Sequence, residues 1–289
     1  MAHAQEDKYY VPHGSHWPIV GTVGLFIAMY SISSWLNGSD IAGILFYVGV
    51  AIVLFMVIGW FRTVIKENEA GMYNEKVGRS FRWGMGWFIF SEVMFFAAFF
   101  GALFYARQYS IPWLSGEGNN FFTNILLWSG YEGIWPTDGP GAIGGEYEPM
   151  AALGLPAWNT AILLTSGMTL TVAHHALLEG KRTLLNLGLA ATIVLGFLFV
   201  GLQAYEYMHA YSEMNLTLNS GIYGSTFYML TGFHGLHVTL GAIMLTVIFG
   251  RTMVGHFDTE RHFGFEAVAW YWHFVDVVWL GLYIFVYWL

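Results

Sequence analysis

The sequence contains no cysteine, which excludes disulfides, thiolate metal sites and cysteine nucleophiles. Charge is nearly as scarce. Only 10% of the 289 residues are Asp, Glu, Lys or Arg, against about a quarter in an ordinary soluble domain. Eleven are basic, and the formal net charge is −8. Nucleic acid needs basic stripes or patches and is excluded as a partner. No internal repeat or low-complexity tract is present. The opening stretch MAHAQEDKYYVPHGSHWP lacks a basic n-region and a small-residue cleavage site, and reads as a solvent-facing start.

What the chain has instead is apolar length. Hydrophobic residues make up 56% of it and aromatic residues 19%. A bilayer core takes roughly 20 apolar residues in a helix. Seven segments meet that length or nearly so, at about 17–36, 41–61, 83–106, 157–178, 187–208, 222–250 and 266–288. The predicted fold is all-α, a polytopic membrane protein with seven transmembrane helices in a single membrane domain over 1–289. Helices 1–2 occupy 17–61, a charged inner connector 62–82, and helices 3–7 residues 83–288.

The basic residues support that helix count. With seven spans, Lys8, Arg62, Lys66, Lys76, Arg79, Arg82, Lys181, Arg182, Arg251 and Arg261 fall on one side, and Arg107 alone on the other. The positive-inside rule makes the basic side the cytoplasm, or the matrix of a mitochondrion. The N-terminus is then inside and the C-terminus outside. The long outer connection, about 107–156, is rich in Gly and Pro and carries Glu117, Glu132, Asp138, Glu146 and Glu148. Its FFTNILLW stretch (121–128) is too short to span and is expected to lie against the surface.

Chemistry concentrates at a few polar residues within the spans. Glu92, in SEVMFF (91–96), lies about ten residues into the predicted third helix. Carrying a charge there costs at least about 2.5 kcal/mol on insertion scales, so hydrocarbon favours the neutral acid. It reads either as a proton-handling or lipid- or subunit-anchoring group, or as an acid hydrogen-bonded to a neighbouring helix. Asp276 and His273 in WHFVDVVW (272–279) share a helical face and form a self-satisfying pair. His234 and His237 in GFHGLHV (232–238) share another. Imidazole is the commonest metal ligand, so this pair reads as one edge of a metal or haem site, or as helix-packing groups in a Gly-rich helix. His174, His175 and Glu179 sit at headgroup depth. Glu206 and His209 form a lone Glu-x-x-His, whereas a di-iron bundle needs two such motifs and two more carboxylates. Gly139, Gly141 and Gly144 fit G-x-G-x-x-G without the strand and helix that give the motif meaning.

Four stretches, read in order, resemble subunit III of the haem–copper cytochrome c oxidases. They are RWGMGWFIFSEVMFF (82–96), SGMTLTVAHHALLEGKR (166–182), GIYGSTFYMLTGFHGLHV (221–238) and HFGFEAVAWYWHFVDVVWLGLYIFVYWL (262–289). The 110–150 connection is the least matched part. Subunit III of the quinol oxidases usually has five spans, so seven spans favour the cytochrome c branch.

The resemblance implies a 2-helix group and a 5-helix bundle separated by a lipid-filled cleft. It implies a chain with no catalytic residue, no metal site and no cofactor of its own apart from bound phospholipid. Haem and copper belong to the partner subunits. The partners are the catalytic subunit I, subunit II and phospholipids, with cytochrome c the substrate of the complex. That complex reduces O₂ to water and pumps protons, and this subunit sustains proton uptake and protects against turnover inactivation. The membrane is the bacterial or the mitochondrial inner membrane. Glu92 matches a carbodiimide-reactive carboxyl near lipid, and Arg251 a position that holds a lipid phosphate. Trp60 and Phe61 stand where the family often has paired tryptophans facing lipid, with Phe61 a departure. His3 and His13 match a proton-collecting surface. His174, His175, His234, His237 and His273 with Asp276 become structural. Two other readings stay in view: a membrane redox protein binding its own haem or metal through His234 and His237, and an ion carrier using Glu92 and Asp276.

Overall fold

The computed structural model describes residues 9–11 and 14–289. His3, His13 and Lys8 lie outside the described residues. The described chain is helical, and it contains no strand. Among the described residues, seven helices are long and apolar enough to cross a membrane. They are α1 (Trp17–Leu36), α2 (Ala42–Glu69), α3 (Glu75–Tyr105), α4 (Leu155–Leu178), α5 (Arg182–Ser212), α6 (Gly221–Met253) and α7 (Phe263–Leu282). A π-helical turn, Ala106–Ser110, carries α3 on to Leu114, and another, Tyr283–Trp288, extends α7. Helices are the natural solution here, because each satisfies its own backbone where no water can.

The number of spans agrees with the hydrophobic runs, and so do the ends of α1, but the ends on either side of 62–82 do not. The stretch 62–82, expected as a connector, is mostly helix, with only a turn between Glu69 and Glu75. Charged residues mark where the helix leaves hydrocarbon, not where its hydrogen-bond ladder stops. Asn74 caps α3, its side chain accepting the Val77 N–H at 3.1 Å. The FFTNILLW stretch contains the short helix Phe121–Leu127, which buries no residue.

Two compact units divide the chain, Met1–Trp83 and Gly84–Leu289. In the first, α1 packs on α2 through small residues. A side chain at Gly49 would meet the Ala28 backbone nitrogen at 2.6 Å, so the helices approach as closely as glycine allows. The Trp17 Nε1–H donates to Thr63 Oγ1 at 3.2 Å. At the polar end, the Tyr10 and Tyr73 hydroxyls both donate to Glu67, at 3.2 and 2.6 Å.

In the second unit, α7 is the central helix. Trp272 and Trp279 are fully buried. The Trp272 ring is seated against Gly196 of α5 and Gly241 of α6, and its Nε1–H donates to Ser166 Oγ of α4 at 2.9 Å. One heptad on, Trp279 Nε1–H donates to Thr160 Oγ1 at 2.9 Å. Each indole thus buries its apolar ring while its N–H meets a hydroxyl, which leaves no stranded donor. The outer connection is pinned to the start of α6. The Tyr147 and Tyr223 rings stack at 5.7 Å, and the Tyr223 N–H donates to the Thr137 carbonyl at 3.2 Å.

Burial is uneven among the spans. Only 6% of the most apolar window of α2 is buried, and 11% of that of α3, against 44% for α7. The apolar surface left on α2 and α3 is far larger than a lone soluble chain tolerates, which suits lipid or neighbouring subunits.

Candidate functional site

Glu92 lies seventeen residues into α3, rather than the ten expected, because the helix begins at Glu75. Its Oε2 sits 2.9 Å from His237 Nε2 of α6. The sequence offered no means of pairing residues 145 positions apart. His237 Nδ1 is 2.6 Å from the Phe233 carbonyl oxygen. A carbonyl only accepts, so Nδ1 carries a hydrogen and donates. Nε2 and Oε2 then share one proton. Either the acid donates to a neutral imidazole, or an imidazolium donates to a carboxylate, and the pair is electrically neutral in both cases. Phe95 and Phe96 of α3 stand 5.9 and 5.0 Å from the imidazole ring.

His234 turns elsewhere. It is fully buried, and its Nε2 lies 3.2 Å from the Val275 carbonyl of α7. Nε2 is therefore the donor, and Nδ1 is left as a buried acceptor without a partner. The two histidines predicted to share a face do share one helix, but they serve different neighbours. Among the described residues, no three His, Cys, Asp or Glu side chains gather into a group able to hold a metal ion.

His273 Nδ1 and Asp276 Oδ2 lie 3.5 Å apart. A third partner comes from α4, where Thr171 Oγ1 lies 3.4 Å from His273 Nε2. Gly167 of α4 makes room for the carboxylate, since any side chain there would run into Asp276 Oδ2. Glu206 and His209 separate. Glu206 is buried, whereas His209 Nδ1 pairs with the exposed Glu213 at 3.2 Å.

Arginines gather at the ends of α4 and α6 that precede the basic turns. Gly180 and Gly255 end these helices with positive φ, +73° and +79°. In each case the next residue's N–H reaches back to close the last turn, Lys181 to Ala176 and His256 to Arg251. The chain then turns sharply and brings Arg182 and Arg251 to one residue. Arg182 Nη2 donates to the Phe257 carbonyl at 2.6 Å, and the Arg251 guanidinium lies 4.4 Å from the centre of the Phe257 ring. Next to them, Asp258 accepts N–H bonds from Arg261 and Glu260, at 2.5 and 2.9 Å. Those backbone donors, aided by the Arg261 charge, hold its carboxyl below the usual range. Trp60 and Phe61 are both exposed, with ring centres 6.0 Å apart.

Comparison with known proteins gives one consistent result. The chain matches the family described as Cytochrome c oxidase subunit III over residues 7–114 and 121–289. The internal break in the match, 115–120, falls in the outer connection, the part expected to be least similar. Among curated relatives, "Cytochrome c oxidase subunit 3" of Scyliorhinus canicula is 39% identical over 289 residues, covering 100% of this chain and 99% of the relative. The protein of that name from Lemur catta is 39% identical over 100% of this chain and 94% of its own length. That from Branchiostoma lanceolatum is 41% identical over 100% of this chain and 99% of the relative.

Proposed function

Because the chain belongs to the cytochrome c oxidase subunit III family, an integral membrane subunit of an oxidoreductase complex, we propose that it is the non-catalytic core subunit. In this reading the catalytic subunit I and subunit II are its partners and hold the haem and copper. Cytochrome c is the substrate of the whole complex, which reduces O₂ to water and pumps protons. This chain supports subunit I, binds phospholipid, sustains proton uptake and limits inactivation during turnover. It sits in an energy-transducing inner membrane, bacterial or mitochondrial, with its N-terminus on the basic side.

The observation that carries this reading is the use of His237. Both of its ring nitrogens are engaged, one by a backbone carbonyl and one by Glu92. A ligand needs a free lone pair directed at the metal, so the pairing weighs against a haem or metal bound through His234 and His237. The carrier reading has less support still, since inverted repeats and broken helices around a midplane site are what such a protein uses, and the sequence has no repeat.

Residue roles follow from the same reading. Arg251 holds a lipid phosphate, with its guanidinium plane supported by the Phe257 ring in the fork geometry that suits phosphate. Trp60 and Phe61 offer an exposed aromatic surface to lipid chains. Glu92 is tolerated at depth because His237 neutralises it. His3 and His13 collect protons at the inner surface.

A paired purification tests the proposal. The protein is taken from membranes in mild detergent and then stripped from its partners, and the reduced-minus-oxidised spectrum and metal content are recorded at both stages. Haem and copper should be present in the complex and absent from the isolated, still-helical chain. Haem or metal that stays with the isolated chain would sink the proposal and make His234 and His237 the first residues to mutate.

A further inference from the structure

Glu206, in α5, is 1% exposed, and it belongs to neither polar pair described above. Its Oε1 accepts the Tyr287 hydroxyl at 2.7 Å, and its Oε2 is buried without a partner. One turn earlier on α5, Gln203 is 5% exposed. It lies within interaction range of Glu206 and Tyr287, yet neither of its amide atoms finds a well-directed hydrogen bond. Asn159 of α4 is 0% exposed, and both of its amide atoms also lack partners.

The register of α4 against α5 brings these residues to one level. The helices run antiparallel, with the Thr169 and Thr192 hydroxyls 2.8 Å apart and Ala173 against Gly188. Ten residues back from Thr169 is Asn159, and ten residues on from Thr192 is Leu202, next to Gln203. Trp279 marks the same level independently. Its Nε1–H donates to Thr160, the neighbour of Asn159, and its ring centre lies 4.7 Å from that of Phe199, one turn from Gln203.

Five polar atoms are thus orphaned within about a turn of helix: two on Asn159, two on Gln203 and one on Glu206. Left unsatisfied in a buried site, each would carry the full desolvation penalty of a polar group. The set mixes two NH₂ donors with carbonyl and carboxyl acceptors. An anion would meet Glu206, and a bare cation would meet the two NH₂ groups. Water both donates and accepts, and it is the ordinary partner of buried polar groups of this kind.

We propose that α4, α5 and the end of α7 enclose an internal hydration site, in which ordered water is held by Asn159, Gln203 and Glu206. Tyr287 fixes one oxygen of Glu206 and leaves the other to the water. The site makes Glu206 an exchangeable proton position in a part of the bundle otherwise lined by Trp279, Phe199 and Phe227. The Glu206 proton passes to a hydrogen-bonded water and returns from it, so no net charge moves.

The first test is a map of the intact, unaltered oxidase at a resolution that shows ordered water. At least one water should lie within hydrogen-bonding distance of both Asn159 and Gln203. Direct pairing of the two amides with no water between them overturns the proposal. The second test is infrared spectroscopy of the complex in H₂O and D₂O, with Glu206→Gln used to assign the carboxyl band. The band should respond to D₂O in the folded complex. That response should be lost when Asn159→Leu and Gln203→Met, near-isosteric apolar replacements, are combined. A band that ignores D₂O in the unaltered complex, or an unchanged response in the double variant, also overturns it. If the double variant does not assemble, the map decides alone.

Discussion

His237 Nε2 of α6 lies 2.9 Å from Glu92 Oε2 of α3, and this contact fixes the protonation logic of both groups. Because His237 Nδ1 must donate to the Phe233 carbonyl, only Nε2 is left to share a proton with Glu92. The carboxyl can therefore sit deep in an apolar helix without carrying an unbalanced charge, which is the arrangement a low-dielectric setting requires.

Glu92→Gln should leave assembly intact, because the amide NH₂ can donate to His237 Nε2 as the acid does. Glu92→Leu strands that nitrogen and should cost about 1–3 kcal/mol. Yield and melting temperature of the purified complex separate the two. A Gln variant that fails to assemble would point to a charged pair with a structural role that an amide cannot fill.

Gly167→Ala should destabilise the second unit by about 1–3 kcal/mol, the usual range for overpacking, because the new methyl meets Asp276 Oδ2. Asp276→Ala in the same chain should recover part of the loss. A double-mutant cycle on thermal stability measures the coupling, and strictly additive losses would contradict the contact.

Tyr147, in the outer connection, has its phenol pushed up from 10.0 to about 12, first by burial and then by the charge of Asp138. The folded state thus holds this proton more tightly than the unfolded chain does. Its contribution to stability is complete below pH 10 and declines as the pH rises from 10 to 12, with the sign set by proton linkage. Tyr73 is raised as well, so the difference between near-UV titrations of the protein and of Tyr147→Phe should isolate one tyrosine ionising near pH 12. That variant should also flatten the alkaline fall in melting temperature.

Arg251→Gln should lower the phospholipid retained by the purified complex, as measured by lipid phosphorus. Arg251→Lys should restore it only in part, since an ammonium keeps the charge but loses the planar contact with the Phe257 ring. Equal lipid in all three proteins would remove Arg251 from the lipid-binding reading.

Much of this protein was legible in its residues. Long apolar runs and scarce charge dictate membrane helices, and a one-sided distribution of Lys and Arg gives their number. That His273 and Asp276 share one helical face follows from their spacing. Helix ends were less legible. Hydropathy reports where hydrocarbon stops, whereas Asn74 and Gly180 report where the hydrogen-bond ladder stops, and the two differ by about eight residues on each side of the turn within 62–82.

Tertiary structure alone decided what lies between helices. Glu92 meets His237, His234 turns to Val275, and Asn159 comes level with Gln203, through packing angles and register that the one-dimensional pattern does not encode. The physical reason is the solvent. In hydrocarbon, apolar faces do not distinguish one partner from another, so small residues such as Gly49 and Gly167 and a few polar contacts select the packing. Those contacts join residues far apart in the chain, and only the folded bundle brings them together.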